Sequence, residues 1–207
     1  AMIPFLNPSS IQEALDYGLH AISMSRYSGA WSAMKVVSDF ADSSASIMTD
    51  PFGIEFKTPE DFEMPKGGLN IRLGDTPLEQ EERLVQYKLP AAKAYVRANS
   101  LDKVIYAPKK KRLGIITSGK SYSDILQAFS DLGIDQETAE KLGISIYKLA
   151  LTWPIDEAGL FDFAPGFEEI LVIEEKRPLI EEQVKYKLFN LDADKRPRIV
   201  GKRDFQG

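Results

Sequence analysis

The stretch Glu169-Ile170-Leu171-Val172-Ile173 reads as a β-strand with both faces buried. Its aliphatic residues follow one another without polar alternation, and this is typical of strands in parallel sheets that helices cover on both sides. Such a strand belongs in the interior of a sheet, so it predicts a neighbouring strand on either side.

Further strands and helices alternate around this run. Strands are predicted at residues 113–117, 144–151 and 198–201, and helices at residues 122–132, 135–142, 156–163 and 178–188. An alternation of strand and helix is the pattern of parallel sheets with right-handed crossovers. The sequence therefore predicts an α/β fold whose mostly parallel sheet has helices on both faces, preceded by a helical segment.

The first fifty residues predict two helices. Ser10 and Glu13 have capping-box spacing, and an apolar face follows at helical spacing. The first face comprises Ile11, Ala14, Leu15, Leu19 and Ile22, and the second comprises Ala33, Val36, Val37 and Phe40. Two short helices cannot bury these faces alone, so we expect them to need a partner.

Residues 51–102 predict a connector and a helix. Proline and glycine punctuate residues 51–75, which leaves room for one short strand or hairpin. Thr76, Pro77 and Glu79 then give a helix start, since Thr caps, Pro suits the first turn and Glu returns to the cap. This helix is expected to run towards Asn99 with a kink or break at Pro90.

Composition excludes several functions for these 207 residues. The sequence has no cysteine, so it offers no disulfide, thiolate nucleophile or iron–sulfur ligand, and His20 is its one histidine. We expect His20 to pack a helix rather than to catalyse. A net charge of −5 argues against nucleic acid or an anionic membrane as partner, and a cytoplasmic protein is expected. Ala1 before Met2 and the unpatterned last residues suggest an excised segment.

One segment fits the phosphate-binding pattern G-x-x-x-x-G-K-[ST], from Gly114 to Ser121. In a P-loop the strand ends before the first glycine, whereas here Ile115 and Ile116 are themselves strand residues. A nucleotide-binding domain therefore stays an alternative that the local pattern does not favour.

Ser118, Gly119 and Lys120 lie where a predicted strand ends and a helix begins. This edge is the usual ligand edge of an open α/β sheet, so these residues are candidates for binding an anion or a coenzyme A phosphate. A capped helix start with a solvated lysine is the simpler alternative.

Glu174, Glu175, Lys176 and Arg177 follow the apolar strand at the equivalent position. Their mixed charge could dock a neighbouring domain or subunit. A solvated strand exit explains them equally well.

Several short motifs, in this order, resemble indolepyruvate ferredoxin oxidoreductases. They are residues 25–29 (SRYSG), 43–46 (SSAS), 67–72 (GGLNIR), 94–99 (AYVRAN), 114–120 (GIITSGK), 153–154 (WP), 168–177 (EEILVIEEKR) and 196–198 (RPR). Members of this family use thiamine diphosphate and magnesium to decarboxylate an aryl 2-oxoacid oxidatively. They pass the acyl group to coenzyme A and reduce ferredoxin through iron–sulfur clusters.

The resemblance implies a division of the chain and a role for it. Residues 1–50 would be the tail of a pyrimidine-binding domain, 51–102 a connector and helix, and 103–207 a domain similar to the C-terminal domain of transketolase. It implies a structural and docking role, with Arg26 and Tyr27 at an interface, the other domains of the enzyme as partners and a homo-oligomer as the assembly. No catalytic residue of the family can be carried over, and the cofactors would bind elsewhere.

Overall fold

The computed structural model describes residues 2–50 and 53–203, which form two β-sheets with helices around them. The small sheet has the order β2-β1-β6 and comprises β1 (Phe5–Leu6), β2 (Ala33–Met34) and β6 (Leu151–Trp153). The larger sheet has the order β3-β5-β4-β7-β8 and comprises β3 (Lys103–Ile105), β4 (Leu113–Ser118), β5 (Ile144–Leu149), β7 (Glu169–Ile173) and β8 (Arg198–Val200).

The helices are α1 (Ile11–Ser28), α2 (Ser38–Ala41), α3 (Pro77–Arg83), α4 (Leu89–Ala98), α5 (Lys120–Asp131), α6 (Gln136–Leu142), α7 (Glu157–Phe163) and α8 (Leu179–Leu188). A π-helical segment (Leu84–Lys88) joins α3 to α4. Within the described residues, none of these helices is both long enough and apolar enough to cross a membrane.

The larger sheet confirms the predicted mostly parallel α/β fold. β4 is parallel to both of its neighbours, β5 and β7, and β7 is parallel to β8, whereas β3 runs antiparallel to β5 at one edge. Two apolar clusters cover the sheet. One contains Leu160 of α7 and Val184 of α8, and the other contains Ile125 of α5 and Ala139 of α6. Helices therefore lie on both faces, as expected for parallel strands.

The apolar strand β7 lies inside the sheet, between β4 and β8, although β4 occupies the centre. Its burial alternates, since Ile170 and Val172 are buried while Leu171 and Ile173 are half-buried. The expectation of full burial on both faces is wrong for this strand. Ile170 and Val172 belong to the cluster under α7 and α8, whereas Ile173 lies at the margin of the cluster under α5 and α6.

The second predicted N-terminal helix is wrong over most of its length. The backbone N–H of Ala33 donates to the carbonyl oxygen of Pro4, and that of Lys35 donates to Leu6, both at 2.8 Å. These bonds pair the segment with β1 as strand β2, and the four residues of α2 alone are helical. Backbone pairing with a distant strand thus overrides the helical spacing of the apolar side chains.

Pro90 interrupts the third predicted helix, as expected. The backbone N–H of Leu89 donates to the carbonyl oxygen of Leu84, five residues back, which is the hydrogen bond of a π-helix. Pro90 has no N–H and cannot continue the regular α-helical hydrogen bonds. The turn before it therefore closes on the residue five positions back instead of four. The described residues 53–75 of the connector contain no strand or hairpin.

Helix α1 leaves much of its predicted apolar face exposed and buries a different face within this chain. Tyr17, His20 and Met24 are buried, whereas Leu15 and Leu19 are 46% and 49% exposed. The buried face packs on α4, where the His20 ring lies 3.1 Å by its Nδ1 from the hydroxyl oxygen of Tyr95. The expected packing role of His20 is confirmed, and the more apolar face of α1 is about half-exposed, with Met48 and Ile54 beside it.

A buried ion pair ties the first turn of α1 to the larger sheet. Lys148 of β5 is 3% exposed, and its ammonium group contacts the carboxylate of Glu13 and lies 4.5 Å from the centre of the Tyr122 ring. Glu13 also accepts from the backbone N–H and the hydroxyl of Ser9, at 2.8 Å each. Burial alone would raise the pKa of Glu13, but hydrogen bonds from Lys148 and Ser9 lower it below its ordinary value. The carboxylate is therefore held in its charged form.

Glu13→Gln should lower the free energy of unfolding by about 3 kcal/mol, because it leaves a buried ammonium without a counter-charge. The double replacement Glu13→Leu with Lys148→Met should recover most of that loss, since no unpaired charge then stays buried. Urea unfolding at pH 7 measures both variants. A single variant within about 0.5 kcal/mol of the parent, the range of ordinary surface substitutions, would contradict this account of the pair.

Candidate functional site at the carboxyl edge of the sheet

A polar cleft of about 320 Å³ lies at the edge where β4 and β7 end. Because the two strands are parallel neighbours, their carboxyl ends meet at this edge. The cleft is lined by Asn7, Lys35, Ser118, Thr152, Glu174, Glu175, Lys176, Arg177, Leu179 and Ile180. It therefore joins the ends of two strands of the larger sheet to residues of the small sheet and its neighbourhood.

The structure separates the three residues predicted to bind an anion. Ser118 lines the cleft, and its buried hydroxyl has no hydrogen-bond partner among the described residues. Gly119 instead lies against Asn7, and the ammonium group of Lys120 binds the carboxylate of Asp124 at 2.8 and 3.0 Å. This bond raises the pKa of Lys120. Of the three, Ser118 alone lines the cleft.

The four charged residues after β7 all line the cleft, and two of them are already paired. The carboxylate of Glu174 accepts from the backbone N–H groups of Ile180 and Glu181, at 2.9 Å each, and so caps the first turn of α8. Glu175 pairs with Lys35 at 3.3 Å. Glu174 is therefore a helix cap, a role that the sequence did not indicate.

The two cations of this group are exposed and have no carboxylate partner in residues 2–50 and 53–203. Lys176 has a positive φ of 58°, and Lys176 and Arg177 both line the cleft. Since Glu174 and Glu175 are engaged, the free charge at the cleft is positive. A cleft with surplus positive charge and an unpartnered hydroxyl suits an anion.

Arg26 and Tyr27, the other predicted interface residues, do not line the cleft. They lie in the last turn of α1, where Arg26 is exposed and Tyr27 is half-buried. The Tyr27 ring makes an edge contact with Phe62 and a tilted contact with Tyr95, with ring centres 6.4 and 6.2 Å apart. Tyr27 is thus partly used in packing within this chain.

The segment from Gly114 to Ser121 does not form a P-loop. β4 continues through Ile115 and Ile116 to Ser118, so no turn of free amides surrounds a phosphate position. A side chain at Gly114 would meet the rings and methyl groups of the core at 3.1 to 3.2 Å, which shows that this glycine serves close packing. The nucleotide-binding alternative is therefore wrong in its geometry.

Three polar residues of the cleft were not predicted from the sequence. Asn7 and Thr152 belong to β1 and β6 or their immediate neighbours, and Lys35 follows β2. All three reach the cleft because the small sheet lies beside the ends of β4 and β7. Strands of two or three residues carry too little pattern to be recognised in a sequence, so no local signal marks these positions.

Two of the groups implied by the resemblance, an iron–sulfur cluster and a metal ion, can be compared with the side chains of this chain. Without cysteine, these residues cannot ligate an iron–sulfur cluster through thiolates. The described residues also contain no group of three or more His, Cys, Asp or Glu that could hold a metal ion. We therefore assign no step of thiamine or cluster chemistry to them.

An open, mostly parallel α/β sheet with a polar cleft at the carboxyl ends of its strands is an architecture of ligand-binding and enzyme domains. A comparison with known protein families identifies the family of this domain. The chain belongs to the family described as the indolepyruvate oxidoreductase domain, whose model matches residues 103–207.

Relatives extend this likeness beyond the family domain. The chain is 28% identical over 196 residues to the indolepyruvate oxidoreductase subunit IorA of Pyrococcus abyssi, with 92% of this chain covered. It is 27% identical over 193 residues to the corresponding subunit of Methanothermobacter marburgensis, with 89% of this chain covered. The chain spans 28% of the length of each of these relatives.

A solved structure shares the fold. The 2-oxoglutarate:ferredoxin oxidoreductase from Magnetococcus marinus aligns over 96% of this chain and 38% of its own, with a TM-score of 0.56 and 14% identity. That structure holds 2-oxoglutarate, coenzyme A and succinyl-CoA. At this identity the likeness concerns the fold alone.

Gly119→Ala should lower the free energy of unfolding by about 3 kcal/mol, through a strained backbone and a clash. Gly119 has φ 57°, and a Cβ there would lie 2.5 Å from the side-chain amide of Asn7. Gly133→Ala is a control for the positive φ alone, since its φ is 67° and nothing lies within 4 Å of its Cβ position, whereas Gly119 also has a ψ of −140°. The control should cost about 1 kcal/mol, for the backbone alone. Equal losses in chemical unfolding would show that the Asn7 contact is unimportant.

Proposed function

We propose that this chain is a structural and subunit-docking part of a thiamine-diphosphate-dependent indolepyruvate ferredoxin oxidoreductase. The complete enzyme would decarboxylate an indolepyruvate-type aryl 2-oxoacid, transfer the acyl group to coenzyme A and reduce ferredoxin. Residues 1–50 would belong to the pyrimidine-binding domain, 51–102 to a connector and 103–207 to a domain similar to the C-terminal domain of transketolase. The family membership supports this proposal, and one surface of α1 carries the docking role.

That surface is an apolar stripe on α1, formed by Leu15, Gly18, Leu19 and Ile22, which we call the α1 stripe. The three large side chains are 46%, 49% and 55% exposed, and their spacing of three, four and seven residues places them on one side of the helix. A Cβ at Gly18 would meet no atom within 4 Å, so the stripe has open space at its middle. A large apolar helix face with a glycine at its centre suits a second helix packed closely against it.

A second apolar surface lies just beyond the end of α1. Trp31 and Ile71 are each 82% exposed, and both line a groove of about 650 Å³. Arg26 and Tyr27 precede this groove by one turn, which fits the interface role expected for them. Two large exposed apolar surfaces on one small chain are unusual for a free monomer and favour docking.

We assign these surfaces to the remainder of the same enzyme. The matched relatives are longer than this chain by more than threefold, so most of their length is available to cover it. A second copy of the chain is the other occupant to be tested. Catalysis would lie outside this segment, because it has no cysteine for a cluster and shares no catalytic residue with the resembling family.

Leu19→Asp should disrupt assembly without unfolding the chain. The substituted side chain is half-exposed, so the thermal midpoint of the 207-residue chain should change by no more than the equivalent of about 0.5 kcal/mol. In the complete enzyme the buried carboxylate should break the interface, seen as dissociation in light scattering and at least a tenfold loss of indolepyruvate-dependent acceptor reduction. Tyr186→Asp, 81% exposed on α8, is the control and should leave both intact.

Two results would contradict this proposal. An assembled, fully active enzyme carrying Leu19→Asp would show that the α1 stripe is not an interface. Turnover by the isolated chain with thiamine diphosphate, magnesium, coenzyme A, indolepyruvate and a dye acceptor, above a heat-inactivated control, would show that catalysis lies within it. Self-association of the parent chain, abolished by Leu19→Asp, would assign the stripe to a second copy instead.

A second function, binding of a coenzyme A phosphate, is favoured by the free charge of the cleft. Lys176 and Arg177 lack carboxylate partners within the described chain, and Ser118 has a buried hydroxyl without a partner. This phosphate site would consist of Ser118 at the end of β4 together with these two cations. Lys120, although predicted for this role, is held by Asp124.

The double variant Lys176→Gln with Arg177→Gln should weaken binding of coenzyme A to the chain at least tenfold, measured by titration calorimetry at low salt. Each lost charge-assisted hydrogen bond to a phosphate is worth about 1.5 kcal/mol or more. Lys109→Gln with Lys110→Gln removes the same charge from another exposed site and should change affinity less than twofold. Equal weakening in both double variants, or no binding by the parent chain, would contradict the proposed phosphate site.

A further inference from the structure

A cavity of about 450 Å³, separate from the cleft, lies on the face of the larger sheet where β3 pairs with β5. Helices α4 and α7 contribute its walls, and it shares no lining residue with the cleft. Its lining is mainly apolar and aromatic, with Val104, Tyr106, Tyr147 and Phe163 among the contacts. This volume and lining fall in the range of small-molecule sites.

The cations that line this cavity are already satisfied. Arg97 pairs with Asp61 and with Asp156, and Asp156 also caps α7 by accepting from Gly159 at 3.1 Å. Lys111 donates to two backbone carbonyl oxygens, at 2.8 and 3.0 Å, and lies 4.8 Å from the centre of an aromatic ring. The charge of Arg97 is thus balanced by two carboxylates, and the ammonium group of Lys111 is directed at carbonyl oxygens rather than at Asp102.

One carboxyl group in the cavity has an unused acceptor. Oδ1 of Asp102 accepts from the backbone N–H groups of Ala150 and Leu151, at 2.6 and 3.1 Å. Oδ2 of Asp102 is shielded from solvent and has no partner among the described residues. Because Val104 pairs with Tyr147, Asp102 lies on the same face of the sheet as both. Burial and the neighbouring charge of Asp156 raise the pKa of Asp102 to about 7.

An unpaired buried acceptor destabilises the folded chain, so it needs a physical explanation. The neighbouring backbone amides are fully used on Oδ1, and the nearby Arg97 is engaged elsewhere. A donor that enters the cavity would supply the missing partner. Asp162 is solvent-exposed and also lines the cavity. This second carboxylate favours a positively charged donor.

We propose that this cavity binds a small, flat aromatic molecule bearing a cationic N–H donor, of the amidine or amino-heterocycle class, with its N–H donating to Oδ2 of Asp102. The ring would lie beside Tyr147 and Phe163, whose own rings stack with centres 5.1 Å apart and leave their edges for aromatic contact, whereas the Tyr106 ring stacks on Phe129. The site differs from the docking surfaces and from the cleft, and it does not depend on the function proposed for either.

Benzamidine is the probe, with benzoate as a control of the same size and opposite charge, in titration calorimetry on the 207-residue chain at pH 8. Benzamidine should bind and benzoate should not. Asp102→Asn should weaken benzamidine binding at least tenfold. The asparagine oxygen can keep the bonds to Ala150 and Leu151, while its amide group places a donor where an acceptor stood. Asp131→Asn removes one acidic charge at the end of α5, outside the cavity, and should change affinity less than twofold.

A second variant keeps the test independent of the fold around Asp102. Val104 is 55% exposed on β3, so Val104→Trp can fill the cavity without replacing a core residue, and it should abolish benzamidine binding with the thermal midpoint unchanged. The proposal is overturned if the parent chain does not bind benzamidine or binds benzoate equally well. It is also overturned if folded Asp102→Asn, or folded Val104→Trp, binds benzamidine as tightly as the parent.

Discussion

The passage of the chain through Ala150 is the constraint on which the rest of the structure depends. At this residue the backbone leaves β5 of the larger sheet and enters β6 of the small one. Its N–H donates to Asp102 and its carbonyl oxygen accepts from the N–H of Asn7 at 2.9 Å. Because a non-proline residue must satisfy both backbone groups when buried, these two bonds fix the crossing. They thereby bring the N-terminal strand, and with it α1, to the side of the larger sheet.

Much of the larger sheet could be predicted from the sequence, because its strands and helices carry their own periodicity. The small sheet could not. Its strands are two or three residues long, and β2 exists because Ala33 and Lys35 find backbone partners near β1. The face of α1 that packs within this chain could not be foreseen either. Its most apolar residues, such as Leu19, were expected to need a partner, and the chain leaves them half-exposed while it buries Tyr17 and Met24.

The site shows the same division between local and long-range information. Ser118 and the charged residues after β7 were predicted at equivalent strand ends, and because parallel neighbours share an edge they line one cleft. Their hydrogen-bond partners could not be foreseen. Lys120 forms an ion pair with Asp124 one helical turn away, and Lys35, which follows β2 of the small sheet, forms one with Glu175. A sequence shows which strand ends meet at an edge, but the choice among nearby partners depends on distances set by tertiary packing.

The two helices that begin at this edge differ electrically, and the difference follows from how each is capped. α8 carries its own resident anion, because the carboxylate of Glu174 occupies the amides of its first turn. α5 begins at Gly119, which has no side chain and supplies no such charge. The positive end of the α8 dipole is thus met by a carboxylate of the same chain, whereas the N-cap of α5 offers no side chain to its own positive end. The two helix starts that follow β4 and β7 therefore differ in charge, although they occupy equivalent positions in the sheet.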